Sequence, residues 1–264
     1  MNLFFTLCLS TVLFASAAHA ANPTMTNLDL SQADGIMKNF SNAIVFRSLE
    51  PPSSNGKIWG FGIGVVGAGT TAKDVNAALP NQNIPALPAA DIVGVLQGPF
   101  GIAFEAGFLP KISIKGFSAK RIAFNVKWTF TDEVLRGNIP FDAAFRFGLG
   151  SNRFSYSQTV SGVADTVNFS SRALRLELAL SRKFLVFEPY IGLGMLKTSN
   201  NLSNTAGASN DLFSFTTNDS YSNSKSSFLF NLGTEIRMAI FTITPEIDFA
   251  YAETTAALKL ALKF

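Results

Sequence analysis

The sequence predicts an all-β fold: a closed antiparallel transmembrane β-barrel of about ten strands with one N-terminal amphipathic α-helix. Three observations carry this. Segments of about ten residues place a large apolar residue at every second position, the length a tilted strand needs to cross a bilayer. The positions between them hold small residues and charges of both signs, as the inward face of such a strand does. The last eight residues, "ALKLALKF", keep the two-residue repeat up to Phe264, where a chain end would otherwise fray.

Residues 1–20 read as a secretory signal peptide. "LFFTLCLSTVLFASA" is its apolar core, and "AHA" before Ala21 fits a small-residue cleavage site. The n-region "MN" carries no Lys or Arg. An uncleaved anchor is the competing reading, but about 15 apolar residues are short for a membrane span. The only Cys (Cys8) and the only His (His19) lie in this segment. Once cleaved, the chain has no thiol and no imidazole, which excludes disulfides, Cys or His nucleophile relays and His/Cys metal sites. No catalytic, cofactor-binding or metal residue is therefore expected, no cofactor, and no enzyme. Carboxylate-only chemistry at Glu246 and Asp248 stays as the residual enzymatic alternative; two carboxylates on one strand face more often pair with a neighbouring Arg or Lys.

Residues 21–56 hold a polar arm and the amphipathic helix. Leu30, Ala33, Ile36, Met37, Phe40, Ala43 and Ile44 recur at helical spacing. Ser31 with Asp34 resembles a capping box, and Pro51 and Pro52 end the element. The spacing predicts a helix over residues 31–48. Three placements stay open for it: plugging the barrel, packing at a protomer interface, or lying at the periplasmic rim. No later stretch reaches 18 consecutive apolar residues, so no membrane-spanning helix is expected.

Residues 57–264 form the barrel. In "RIAFNVKWTF", Ile122, Phe124, Val126, Trp128 and Phe130 share one face and Arg121, Asn125 and Lys127 the other. The same contrast sets Phe145, Phe147 and Leu149 against Asp142 and Arg146, and Leu174, Leu176, Leu178 and Leu180 against Arg175 and Glu177. Toward the C-terminus, Phe228, Phe230 and Leu232 oppose Asn231, Glu235 and Arg237, while Ile247, Phe249 and Tyr251 oppose Glu246 and Asp248. Finally, Leu258, Leu260 and Leu262 oppose Lys259 and Lys263. Strands are expected near 57–66, 100–109, 111–117, 118–131, 140–157, 167–182, 186–200, 225–239, 241–252 and 255–264, with eight and twelve as the other even counts. Lipid offers no partner to an open edge, so the last strand must pair with the first. Short turns are expected on one rim, near Lys183–Phe184 and residues 239–241. Long polar loops are expected on the other, at residues 67–98 and across "NNLSNTAGASNDLFSFTTNDSYSNSKS".

Two motifs need a decision. "GIGVVG" matches a dinucleotide-binding pattern, but no amphipathic helix follows it. Gly60, Gly62 and Gly64 alternate with Phe61, Ile63 and Val65, so they are expected to line the lumen and leave room for close approach, with the helix as the candidate occupant. The inward charges are Glu105, Arg121, Lys127, Asp142, Arg146, Arg175, Glu177, Glu188, Glu235, Arg237, Glu246, Asp248, Lys259 and Lys263. A narrow barrel fills its interior with side chains, which favours ion pairing over a water-filled, weakly selective pore. The net charge of +3 comes from scattered Lys and Arg, which argues against a nucleic-acid partner.

The segments "IPALPAADIVGVLQGPFGIAFEAGFLPKI", "AFNVKWTFTDEVL", "RKFLVFEPYIGLGMLK" and "LKLALKF" resemble an uncharacterised family of bacterial outer-membrane barrels, a domain-of-unknown-function group similar in style to the long-chain fatty-acid transporters. The resemblance implies no established function. Together with the strand pattern, it makes the expected protein an integral barrel in the outer membrane of a Gram-negative bacterium. Its expected partners are membrane lipids and the barrel-assembly machinery, with Phe264 as the candidate assembly signal. Its expected role is porin-like or structural, with a homo-oligomer open as the assembly. A channel for apolar molecules and a soluble periplasmic lipid-binding barrel are the alternatives.

Overall fold

The computed structural model describes residues 30–54, 58–78, 84–114, 117–131, 139–160, 163–209 and 214–264. The expected signal peptide, residues 1–20, and the expected polar arm lie outside these residues.

Helix α1 spans Leu30–Ala43, shorter than the spacing predicts. It ends before Pro51 because Arg47 folds back: its guanidinium donates to the carbonyls of Asn42 at 3.0 Å and Val45 at 2.9 Å, capping the last turn from outside. Residues 46–54 carry no helix or strand, apart from a bend at Pro52.

Ten strands follow: β1 (Gly60–Thr70), β2 (Leu87–Gln97), β3 (Ile102–Ile114), β4 (Phe117–Thr129), β5 (Asp142–Val160), β6 (Val163–Ser181), β7 (Phe187–Ser209), β8 (Ser214–Met238), β9 (Phe241–Ala250) and β10 (Glu253–Lys263). A second short helix, α2 (Lys73–Ala78), sits between β1 and β2. Each strand pairs antiparallel with its neighbours in sequence. The ring closes where β1 meets β10, from Gly62↔Lys263 to Thr70↔Thr255. Closure pairs the backbone groups that hydrocarbon could not satisfy.

The expected count of ten holds, but two errors in the expected boundaries offset each other. Residues 111–117 are not a strand of their own. β3 runs through to Ile114, and its register shifts between Leu109 and Ile112, where Pro110 has no N–H to give the ladder. The predicted loop over 67–98 instead contains β2. Its outward positions are Pro88, Ala90, Ile92, Gly94 and Leu96, and its inward ones include Asp91, Val93 and Val95, so the apolar contrast between faces is lost.

The expected long polar loop across residues 200–226 is also strand over its described parts, 200–209 and 214–226. β7 and β8 stay paired up to Ser209↔Ser214. Both faces of this extension are polar, so it shows no hydrophobic period, yet its backbone ladder is complete. At this rim only two to four residues of sequence separate β3 from β4, β5 from β6, β7 from β8 and β9 from β10. The β9–β10 connection is Tyr251–Ala252, with φ of 56° and 61°. Tyr251 was expected to face outward, but it leaves the strand and is buried. Its hydroxyl donates to the carbonyl of Lys225 at 3.0 Å and lies 3.1 Å from Thr198 Oγ1. These contacts offset the roughly 1–2 kcal/mol a left-handed non-glycine residue costs.

The outward positions form an apolar belt round the ring, including Phe61, Phe104, Phe124, Phe145, Leu178, Leu193, Phe249 and Leu260, all exposed. A soluble protein rarely shows so large a continuous apolar surface. At the level of this belt the charged groups are inside.

Candidate functional site

The lumen and the segment inside it form the site. Helix α1 sits toward the rim opposite Phe264. The Asp34 carboxylate meets Lys225 at 2.9 Å and Asn223 at 2.7 Å on the extended β8. Partial desolvation would raise its pKa, but the Lys225 ammonium and the Asn223 amide win and hold it below the usual carboxylate range. Asn39 is fully buried and acts as a junction. It donates to Glu253 of β10 at 3.0 Å and accepts from the backbone N–H of Asp74 at 3.0 Å and of Val75 at 3.2 Å, tying α1 to α2. Phe40 packs on Phe154 and Phe169, with centroids 4.9 and 6.0 Å away.

Below the helix, residues 44–54 run through the lumen and touch most of the wall. Arg47 reaches Asp248 of β9 at 2.5 Å and Thr255 of β10 at 2.9 Å. Arg121 of β4 grips both carboxylate oxygens of Asp91 of β2 with Nε and Nη2, and donates from Nη1 to the Ile44 carbonyl at 2.8 Å. Ser48 donates to Glu105 of β3 at 2.8 Å. The Glu50 side chain is fully buried and meets Lys259 at 2.5 Å and Lys263 at 2.7 Å, while its carbonyl accepts from Arg146 of β5. Lys127 donates to the carbonyls of Pro51 and Ser53, each at 2.7 Å, and Thr129 to that of Pro52 at 2.5 Å. Ser53 donates to Glu188 of β7 at 2.8 Å.

The wall completes the network. Arg146 and Arg175 share Glu177, each at 2.6 Å. Lys263 also meets Glu235, which Arg237 approaches at 2.8 Å. Glu246 accepts from the Tyr190 hydroxyl at 2.6 Å. Asp142 is half-buried at the foot of β5, opposite Ser181. Glu246 and Asp248, the residual carboxylate pair, are each engaged in this way and buried at 2% exposure. Among the described residues no cluster of acids, His or Cys could hold a metal.

A Cβ on Gly107 would collide with the Phe46 ring, so this glycine of β3 is the seat for the plug's aromatic. The glycine-lined first strand serves a different purpose from the one its sequence suggests. A Cβ on Gly64 would lie 2.6 Å from the Cβ of Ala261, so it clears the β1–β10 seam rather than the helix. The recess beside Val45, Phe46 and Arg146 holds about 10 Å³, room for roughly one water. Chemically, the arrangement fills the lumen with ion pairs and with hydrogen bonds between the plug and the wall. Its buried ion pairs fix the position of the plug more than they add net stability, because desolvation cancels much of their attraction.

Sequence reasoning did not single out Glu50, Asp91, Ser48, Ser53, Asn39 or Tyr190. Asp91 was hidden with its strand. Glu50 carries a readable signal, as a lone acid between an apolar stretch and Pro51–Pro52. The others are short polar residues whose partners lie far away in the chain.

A closed strand ring with an apolar exterior and a charge-paired, self-plugged interior defines a transmembrane-type β-barrel. Residues 52–262 match the family described as "Family of unknown function (DUF6588)", and the chain belongs to it. No curated protein matches. Among solved structures the chain is similar to the outer membrane protease OmpT from Escherichia coli, at 10% identity over 82% of this chain and 99% of that one, with a TM-score of 0.42. It is similar to the translocator domain of the autotransporter NalP from Neisseria meningitidis, at 9% identity over 89% and 94%, TM-score 0.41. It is also similar to a Pseudomonas aeruginosa FadL homologue, at 9% identity over 86% and 97%, TM-score 0.32. Superpositions this partial carry no information on activity.

Proposed function

We propose that this protein is an integral barrel of the bacterial outer membrane whose resting state is sealed, a structural element of the membrane and not an open porin or an enzyme. The observation that carries the reading is the course of residues 44–54 down the lumen, bonded to β3, β4, β5, β7, β9 and β10. The apolar belt supports contact with membrane lipid. The rim with Phe264 faces the periplasm in this reading, and the extended β7–β8 hairpin stands outside the cell. The absence of imidazole and thiol after residue 20 supports a role without catalysis.

Planar bilayers test the seal. The full chain should give no conductance above background, and a variant lacking residues 21–50 should conduct. Steady conductance by the full chain would overturn the sealed state; a silent deletion variant that inserts normally would show that the wall closes itself. A second reading, a conduit that opens when the plug moves, is favoured by one feature. Lys127, Thr129 and Arg146 hold the plug through its backbone carbonyls, contacts that can re-form with water.

A further inference from the structure

Among the described residues with placed side chains, the acids of the barrel wall point inward, and Asp219, on the β7–β8 extension, is exposed. Asp91, Glu105, Glu177, Glu188, Glu235, Glu246, Asp248 and Glu253 are all buried. The outward face carries the opposite charge. Above the apolar belt, on the side away from Phe264, stand Lys111 on β3, Lys120 on β4, Arg153 on β5, Arg172 on β6 and Lys197 on β7, all exposed. Four of them come where the apolar outward repeat stops: Lys120 before Ile122, Arg153 after Leu149 and Ser151, Arg172 before Leu174, Lys197 after Met195. None of the five pairs with an acid among the described residues. The cations of the other rim behave differently. Arg182 lies over the Phe184 ring at 5.1 Å, and Lys183 donates to the Ser54 carbonyl at 3.3 Å.

Lys120 and Arg153 are direct cross-strand partners. Like charges so placed destabilise an antiparallel pair, and no acid among the described residues offsets them. Both line a recess of about 260 Å³ with Lys111, Ser118, Asn168 and Asn201. Five adjacent strands, at about 4.8 Å spacing, spread the band over roughly 19 Å. That is wide for a single small anion, and the hydroxyls and amides between the cations suit sugar oxygens. Arg adds two-pronged recognition of phosphate.

We propose that this band binds the phosphorylated sugar headgroup of a glycolipid in the leaflet at that rim. The proposal rests on the transmembrane reading above. The test uses the full chain in phosphatidylcholine nanodiscs containing lipid A with both phosphates, or the same lipid with its phosphates removed, with inorganic phosphate as a third arm. The phosphorylated lipid should bind at least tenfold tighter than the stripped one, and inorganic phosphate at matched concentration should not displace it. K120Q/R153Q should weaken binding about tenfold or more. R172Q/K197Q should weaken it independently, so one misfolded variant does not decide the matter. Equal affinity for the two lipids, unchanged affinity in both variants, or full displacement by inorganic phosphate would overturn the proposal. A folded chain that stays in water and does not enter nanodiscs would sink the transmembrane reading and this proposal together. A chain that inserts but ignores the phosphates would sink this proposal alone.

Discussion

Replacing Glu50 by Gln tests whether charge pairing holds the plug. The side chain is fully buried between Lys259, itself 1% exposed, and Lys263. Gln keeps the shape and one hydrogen-bonding oxygen but removes the charge. Removing one partner of a buried pair costs about 3–5 kcal/mol, because the other charge is stranded. Here Lys263 keeps Glu235 and Lys259 keeps the Leu49 carbonyl, so the lower end, about 3 kcal/mol, is expected. Urea unfolding of the reconstituted protein reads this. At a slope of about 1–3 kcal/mol per molar, the midpoint should fall by about 1 M or more. Removing the stranded charge as well, in E50Q/K259M, should recover much of the loss, since apolar replacement of a buried pair is often neutral. A single variant within about 0.5 kcal/mol of the parent, the range of an unremarkable surface change, would refute the reasoning. So would a double variant no more stable than the single.

Two further outcomes follow from the packing of the ring. G107A should lose about 1–3 kcal/mol by forcing the Phe46 ring off its seat; F46A/G107A should lose less than the two single losses added, and strict additivity would place the ring elsewhere. Deleting Phe264 removes the paired backbone bonds to Phe61, at 2.8 and 3.0 Å, at the foot of the closing seam. Assembly into membranes by the barrel-assembly machinery, followed by the gel shift of folded against heated protein, should fall; unchanged yield would show that the residue is neither seam nor signal.

Much of the wall was legible because a sheet with an apolar outer face and a narrow polar lumen writes its two faces into alternate residues. Ile122 to Trp128 against Arg121 to Lys127 is a complete example, and it fixed both strand and orientation. Legibility failed wherever that contrast vanished. In β2, Pro88, Ala90 and Gly94 occupy outward positions and Val93 and Val95 inward ones, so no period survives. In the upper parts of β7 and β8 both faces meet water, and only backbone pairing defines the strand. Tyr251 read as one more outward aromatic, yet it sits in a turn whose conformation depends on hydrogen bonds to the Lys225 carbonyl and with the Thr198 hydroxyl.

The sequence by itself determined the class of protein: closed antiparallel strands, an apolar exterior, a charged interior, and no thiol or imidazole after residue 20 to run chemistry. These follow from composition and from a period of two, which are local properties. Only the tertiary structure decided where the N-terminal segment goes and whether the inward charges face water or each other. Glu50 finds Lys259 about two hundred residues away, and Arg47 finds Asp248 across a similar gap. Pairings at that separation depend on strand register and ring closure together, and no local pattern encodes either. The same holds for the outward cations. Lys120 and Arg153 are unremarkable in sequence and become a shared anion surface only once β4 and β5 are in register.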